Sequence, residues 1–209
     1  MKLYRLKLNV ANPHTVMALQ NPNLFHGAIE KAFDGKGSVL WRIDTLGGEY
    51  YLLILNAFQF QQQILTEQFG YLNEKFESVD YDKVLDRIQA NTQWHFRLVA
   101  NPTFSSKKEG KKEDRGKILA CLNEESQIEW LTKRSHKLGF SVVPGSCSVI
   151  EKRWIRFTKR IEHRRVTLYA VTYEGYLKVI DPEAFKKTLI DGVGRGKAYG
   201  LGLLTIMRV

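Results

Sequence analysis

A loop near the C-terminus contains five glycines in eleven positions, and it restricts the possible fold more than any other segment. The loop follows a helical pattern over 182–190 and precedes a strand pattern over 203–209. A dinucleotide-binding fingerprint would follow a strand and open a helix, so this order argues against a nucleotide cofactor. Glycine reaches positive φ readily, and successive N–H groups in such turns bind anions, although a helix cap and tight turn would explain any one glycine. We expect a phosphate-binding loop formed by Gly192, Gly194, Gly196, Gly200 and Gly202 with Arg195 and Lys197.

The chain is strongly basic, and its cations are clustered. There are 32 Lys and Arg against 22 Asp and Glu, a formal net charge of +10. Seven Lys or Arg fall within residues 152–165 (KRWIRFTKRIEHRR), a pattern typical of a strand or hairpin that presents cations to phosphates, although a solvated face has the same composition. The candidate RNA-binding residues in this segment are Arg153, Arg156, Lys159, Arg160 and Arg164.

Length and cysteine content restrict the class of protein. At 209 residues the chain can form one large domain or two of about 100 residues each. Cys121 and Cys147 form no CxxC pair, so neither a disulfide framework nor a zinc site is indicated. No apolar run approaches the roughly 18 residues of a membrane span. We expect a soluble, cytoplasmic protein that needs no cofactor and does not bind a membrane.

The N-terminal half predicts a β-α-β-β-α-β order. Asn12-Pro13 and Asn21-Pro22 indicate helix starts, and Gly47-Gly48 indicates a hairpin. The predicted elements are a strand over 2–9, a helix over 23–33, strands over 39–46 and 50–56, a helix over 80–90 and a strand over 93–100. This order is that of a ferredoxin-like domain, here assigned to residues 1–101.

The C-terminal half repeats a similar order after a basic segment over 102–117, which we interpret as a mobile linker or an RNA-contacting arm. The predicted elements are a helix over 124–138, strands over 140–143 and 147–157, two strands over 166–173 and 176–180 that pair across Glu174-Gly175, a helix over 182–190 and a strand over 203–209. We therefore expect an α+β fold of two tandem ferredoxin-like (RRM-like) domains, the second degenerate and assigned to 118–209.

The sequence contains no metal-binding motif and no hydrolase motif. We therefore consider a reaction in which the nucleophile is supplied by a bound RNA. The histidines show no metal-ligand spacing, and Asp80 and Asp82 suit a helix cap better than Mg²⁺. RNA carries a 2′-hydroxyl beside each phosphate, so one residue that transfers protons near neutral pH suffices for cleavage. His26 shares a helix face with Glu30, away from the apolar residues, and Lys31 is close enough in sequence to reach a phosphate near it.

Several segments together resemble one protein family. They are the N-terminal strand and helix with His26, residues 96–102 (FRLVANP), 127–131 (QIEWL), 173–175 (YEG) and 192–204 (GVGRGKAYGLGLL). In this order they resemble the CasE/Cse3 endoribonucleases of the RAMP superfamily, which process CRISPR repeat transcripts for the antiviral type I-E Cascade complex. The resemblance covers nearly the full chain.

The resemblance implies a metal-independent endoribonuclease that cuts pre-crRNA at the 3′ base of the repeat hairpin. The 2′-hydroxyl attack leaves a 5′-hydroxyl and a 2′,3′-cyclic or 3′ phosphate, and the mature crRNA stays bound and joins other Cascade subunits. His26 matches the family's catalytic histidine and Lys31 matches a family lysine, so His26 and Lys31 are the catalytic residues that the resemblance implies. The basic strand matches the RNA-stem contact. Where relatives often carry a tyrosine this chain has Asn23, which can bind RNA but cannot act as a phenol. The alternative is a non-catalytic RNA-binding scaffold of the same fold.

Overall fold

The computed structural model describes residues 1–35, 37, 39–106, 116–159 and 164–209, and it shows a mixed α/β fold built on antiparallel sheets. The first elements are β1 (Lys2–Lys7), α1 (Pro13–Gln20), α2 (Asn23–Ala32), β2 (Leu40–Leu46), β3 (Glu49–Asn56), α3 (Gln62–Phe69), β4 (Glu77–Asp80) and α4 (Asp82–Leu85). They are followed by β5 (Gln93–Ala100), β6 (Thr103–Ser106), β7 (Lys117–Ala120), α5 (Glu124–Ser135), β8 (Phe140–Val142), β9 (Ser148–Lys159), β10 (Arg164–Val179), α6 (Pro182–Asp191) and β11 (Leu204–Arg208).

The first sheet has the strand order β2-β3-β1-β4 and is buried on both faces. Because side chains alternate along a strand, Leu52 and Ile54 of β3 face the helices and pack in one cluster with Phe25 of α2. Leu55 lies on the opposite face and belongs to a cluster that also contains Leu98 of the second sheet. One continuous core therefore joins the two sheets.

The second sheet has the order β11-β5-β10-β8, with β9 also paired to β10. Phe96 and Leu98 of β5 pack in the same cluster as Trp130 of α5 and Phe185 of α6. Val99 points the other way and joins a smaller cluster that includes Ile155, Phe157 and Leu201. Helices α5 and α6 thus pack on one face of the sheet, and the part of the glycine loop around Leu201 packs on the other.

Residues 80–93 differ from the prediction. The predicted helix over 80–90 is wrong beyond its first turn, because α4 ends at Leu85 and the following backbone makes three-residue turns up to Asn91, whose φ is +66°. The strand over 93–100 is confirmed as β5, but it pairs with β10 and β11 in the second sheet. The last strand of the first sheet is β4, and the helix α3 precedes it. Neither element was predicted from the sequence.

The predicted hairpin across Glu174-Gly175 is also wrong. β10 runs without a turn from Arg164 to Val179 and pairs with β5 through this region. A side chain at Gly175 would lie 2.7 Å from the Ser146 carbonyl oxygen, so glycine is needed there for close backbone approach and not for a turn.

The ends of the basic segment over 102–117 are ordered as strands. β6 and β7 form an antiparallel ribbon in which Thr103 pairs with Ala120 and Ser106 with Lys117. Residues 107–115, which carry most of the predicted linker, lie outside the described residues. The two ends of the segment that we interpret as a mobile linker or an RNA-contacting arm therefore belong to this ribbon.

Arg42 of β2 links the two sheets through a buried guanidinium. Its Nη1 donates to the carbonyl oxygens of Arg97 (3.1 Å) and Leu203 (2.8 Å), and its Nη2 donates to Thr205 Oγ1 (2.9 Å). Nε and Nη2 also form a bidentate pair with Asp44 at 2.7 Å each. The Arg42 side chain is only 2% exposed, whereas the Asp44 side chain is 19% exposed, so the pair is shielded from water mainly on the guanidinium side.

Replacing Arg42 with Met is expected to lower the free energy of unfolding by about 3–5 kcal/mol, because removing one member of a buried ion pair leaves its partners unsatisfied. Lys133→Ala is the matched control, since Lys133 pairs with Glu129 while both are largely exposed, and such a pair contributes about 0.3–0.5 kcal/mol. Urea unfolding monitored by fluorescence measures both values. Equal small losses would show that Arg42 does not hold the sheets together.

Candidate functional site

His26 lies on the solvent-facing side of α2 and faces the glycine loop. Phe25 and Ile29 are buried on the core side of the helix, as the helical spacing predicts. The His26 side chain is 27% exposed, and its Nε2 lies 3.3 Å from Glu30 Oε1 one turn later. Its ring packs edge-on against Tyr199 of the loop, with ring centroids 5.8 Å apart. His26 therefore combines partial burial, a carboxylate partner and access to solvent.

A cavity of about 180 Å³ opens beside His26. Its apolar floor includes Phe33 and Trp41, while Glu30 and Lys197 supply charged groups. Lys197 donates from Nζ to the Asp191 carbonyl oxygen, which holds the cation near the loop. The structure thus brings together His26 and Lys197, which are 171 positions apart in sequence.

The glycine loop is folded around β2, the edge strand of the first sheet. All five glycines have positive φ, as predicted, with values from +75° to +90°. Gly192 lies against Leu40 and Gly200 against Trp41, so the loop contacts both faces of the strand. The Val193 N–H donates to the Gly202 carbonyl oxygen and the Gly202 N–H to that of Val99. Most of the glycines are thus explained by packing, and phosphate binding by the loop stays a prediction.

The basic strand β9 divides its cations between two faces. Ile155 and Phe157 point into the core, and Phe157 packs on Tyr199 with a centroid distance of 4.8 Å. Arg153 shares this face by strand alternation and lines a smaller cavity with Tyr199 and Pro22. Arg156 lies on the other face, where its guanidinium carbon Cζ is 5.1 Å from the Trp154 ring centre. Of these two arginines, Arg153 is therefore the one beside the His26 helix.

The remaining predicted RNA-binding residues are less tightly gathered. Lys159 and Arg164 are paired in register at the ends of β9 and β10, and Arg160 lies outside the described residues. Arg195 is exposed in the glycine loop and does not line the cavity beside His26.

Asn23 and Lys31 occupy opposite ends of α2. Asn23 is the first helical residue, one turn before His26, and its N–H donates to Asn21 Oδ1 at 3.3 Å. Lys31 is exposed in the last turn, about 140° around the helix axis from His26, and does not line the cavity. The described structure therefore places Lys197, and not Lys31, opposite the histidine.

Other candidate chemistry is weak. Burial raises the pKa of the Cys147 thiol to about 11 and also raises that of Cys121, so neither thiol is an activated nucleophile. Asp80 Oδ1 accepts from the Asp82 N–H at 3.1 Å, and Asp82 pairs with the N-terminal ammonium group. The predicted helix-cap role is wrong, because Tyr81 is the N-cap of α4 and this cap position makes no side-chain hydrogen bond. Within the described ranges, no three His, Cys, Asp or Glu side chains are grouped as metal ligands. No helix in that part of the chain is long and apolar enough to cross a membrane.

Sequence reasoning missed two residues of the site, Tyr199 and Glu30. Tyr199 sits within the glycine loop, and its aromatic ring directly before Gly200 in A-Y-G was the only signal that it packs against another element. Glu30 follows His26 by four residues, the spacing that brings side chains together on a helix. Its shared face with His26 was recognised, but not its contact with the imidazole.

Comparison with known proteins gives consistent matches over the full length. The model of a family described as CRISPR associated protein matches residues 1–208. The chain is 28% identical to the CRISPR-associated endoribonuclease Cse3 of Thermus thermophilus, and the alignment covers 99% of each chain.

Solved structures give the same result. A structure of Cse3 bound to a 19-nucleotide RNA superposes with a TM-score of 0.80 at 26% identity, covering 99% of this chain and 100% of the other. Thermus thermophilus Cse3 bound to an RNA representing a pre-cleavage complex gives 0.77 at 26% identity, covering 99% and 98%. Cas6e of Escherichia coli K-12, at 20% identity and a TM-score of 0.67 over both full chains, shares the fold.

Gly200→Ala is expected to destabilise the protein by about 2–4 kcal/mol, because positive φ and a clash act together there. A Cβ at Gly200 would lie 2.7 Å from Trp41 Cζ3, at a φ of +78°. Gly48 has nearly the same φ, +80°, with nothing within 4 Å of its Cβ position, so Gly48→Ala isolates the backbone cost of about 1–2 kcal/mol. Thermal unfolding of both variants measures the difference. Equal losses would show that the loop is not held against Trp41.

Proposed function

We propose that this chain is the endoribonuclease that cuts CRISPR repeat transcripts at the 3′ base of the repeat hairpin. The premise is that the chain belongs to the CRISPR-associated protein family and to its CasE/Cse3 branch. The observation that carries the proposal is the meeting of His26 with the glycine loop and its cation Lys197. The full-length match to Cse3 structures that hold RNA supports the same substrate class.

The proposed reaction is attack by a 2′-hydroxyl oxygen on the adjacent phosphorus atom. The 2′-hydroxyl loses its proton as its oxygen forms the bond that closes a 2′,3′-cyclic phosphate. The bond from phosphorus to the 5′ oxygen breaks, and the leaving oxygen takes up a proton to become a 5′-hydroxyl, so one proton is released and one is taken up. His26 is placed to move a proton at one or both steps, since imidazole exchanges protons near neutral pH. Lys197 and Arg153 each line a cavity that borders the histidine helix, and in this scheme they stabilise the negative charge that develops on phosphate oxygens.

In this scheme the protein side chains supply proton transfer and charge stabilisation without a bound metal. Glu30 accepts from the protonated imidazole and favours one orientation of its ring. Lys31 and Asn23 extend the cationic and polar surface along α2 and act on RNA outside the immediate contact with His26. The positive-φ glycines bring the loop backbone close to α2, which allows phosphate contacts from Arg195 at the exposed end.

The product is retained as the guide RNA and the protein then functions with other Cascade subunits. A structure of a CRISPR RNA-guided surveillance complex contains a chain of the same fold, with a TM-score of 0.70 over the full length of this chain. Retention follows from the number of phosphate contacts that a net charge of +10 can make, since these contacts dominate affinity for RNA.

We further propose that the two sheets are tandem ferredoxin-like domains. The first sheet has the order β2-β3-β1-β4 with helices between the strands. The second has β11-β5-β10-β8, which is the same order if β8 and β9 together replace the second strand, as a degenerate copy would. The pairing of β5 with β10 and β11 supports a boundary within 86–92 in place of 101.

His26→Ala is expected to reduce single-turnover cleavage of a repeat hairpin RNA by about a hundredfold or more, the usual contribution of a general acid or base. The reaction is run in EDTA, and RNA binding is measured in parallel by filter retention. His136→Ala is the control, because His136 is exposed at the end of α5 and distant in sequence from the site. Full activity of His26→Ala, or loss of wild-type cleavage in EDTA, would contradict the mechanism.

Arg153→Ala and Arg156→Ala are expected to separate catalysis from binding. Both remove one cation from β9, so both weaken RNA binding and reduce its salt dependence. Only Arg153 lies beside the His26 helix, so only its loss lowers the cleavage rate at saturating protein. Equal rate losses for the two variants would indicate that the faces of β9 do not have distinct roles.

The alternative is an RNA-binding scaffold without catalytic activity. It keeps the fold and the charge but gives no functional role to the contact of His26 with Tyr199 and Glu30. Tight binding of repeat hairpins from the same source, with no cleavage by the wild-type protein, would favour it.

A further inference from the structure

The cavity beside His26 has an apolar lining that binding of a phosphate alone does not require. Its floor is apolar and aromatic, formed by residues such as Ile29, Phe33, Val39 and Trp41. A phosphate is bound by cations and N–H groups, and Lys197 at the edge of the cavity already supplies one such cation. The apolar floor therefore indicates a second, uncharged part of the ligand.

The size of the cavity matches one aromatic ring. Its volume is about 180 Å³, close to that of an engineered cavity of about 150 Å³ that binds benzene in another protein. A single heterocyclic base fits on this scale, whereas a stacked pair of bases does not. Sequence-specific RNA recognition commonly uses bases that leave the stack and enter such apolar pockets.

Trp41 supplies an unused hydrogen-bond donor. The residue is 1% exposed, and its Nε1 has no acceptor among the residues that the structure describes. Gly200 lies against Cε3, Cζ3 and Cη2 of Trp41, the side of the indole that does not carry Nε1. Gly200 does not line the cavity beside His26. A buried N–H without an acceptor costs about 1–3 kcal/mol. The Nε1 atom is closed to solvent, so a ligand acceptor relieves this cost when the side chains around it move to admit the ligand.

We propose that this cavity receives the base of a nucleotide that flanks the scissile phosphate, with Trp41 Nε1 donating to an acceptor atom of that base. The proposal rests on the cleavage function proposed above and adds a specificity site to it. Insertion of the base would splay the strand at the foot of the hairpin and set the reacting phosphate beside His26. Trp41 is then a specificity residue, and its contact with Gly200 positions it.

The test compares three substrates and two proteins in a cycle. The substrates are a repeat hairpin RNA and copies that carry an abasic nucleotide immediately 5′ or 3′ of the cut. The proteins are the wild type and Ala198→Leu, which fills the cavity because Ala198 lines it. Single-turnover cleavage rates are measured at saturating protein, and thermal unfolding verifies that each variant is folded.

For the wild type we expect one abasic position to slow cleavage by about ten- to a hundredfold, the typical effect of losing one protein–base stacking contact. The same substitution should have little further effect on Ala198→Leu, because interacting sites are not additive. Ala11→Leu, an exposed alanine between β1 and α1, is the matched control and should behave as the wild type. Trp41→Phe, which keeps a ring but lacks the N–H, should lose discrimination among bases at the sensitive position.

Three outcomes would overturn the proposal. Rates that are insensitive to an abasic nucleotide on both sides of the cut exclude a bound base. Additive effects of the abasic site and Ala198→Leu place the base elsewhere. Failure of the wild type to cleave any repeat hairpin from its own source removes the proposed function and this inference with it, whereas normal cleavage with either of the first two results removes the inference alone.

Discussion

Two adjacent residues of β2 hold the site together, because Trp41 and Arg42 point to opposite faces of one edge strand. Trp41 packs under the helices and against Gly200 of the glycine loop. Arg42 donates to backbone oxygens of β5 and of the segment that leads into β11. These contacts fix the first sheet to the second at the point where the glycine loop contacts β2. His26 lies on α2, which packs on the first sheet, and Lys197 lies in the loop between α6 and β11 of the second sheet. The candidate site therefore needs both sheets.

The sequence reveals those parts of the fold that depend on local pattern. Alternation identified β5 to the residue, and helical spacing separated His26 from the buried Phe25 and Ile29. The cluster of five glycines correctly indicated positive φ. Each of these features is determined by neighbours within a few positions, which is why one sequence was enough to predict them.

Features that depend on distant partners were not predicted. Gly175 resembles a turn residue, yet a close approach to Ser146 explains it, and a local pattern cannot distinguish the two. The helix α3 was missed because glutamines occupy its first turn and only Leu65 and Phe69 are buried. The Tyr199 ring reaches His26 across 173 positions, and no spacing rule connects them. Family resemblance indicated His26 as the candidate catalytic residue, and the fold shows that Lys197 lines the cavity beside it.

The central claim is that a 2′-hydroxyl of the RNA is the nucleophile and that His26 transfers its proton. The most direct measurement uses a hairpin RNA with a single 2′-deoxynucleotide immediately before the cut and determines both binding and cleavage. We predict binding equal to that of the all-ribose RNA, no cleavage at that bond, and a 2′,3′-cyclic phosphate on the all-ribose product by mass spectrometry. Continued cleavage at the deoxynucleotide would contradict the account, because another nucleophile would then be required.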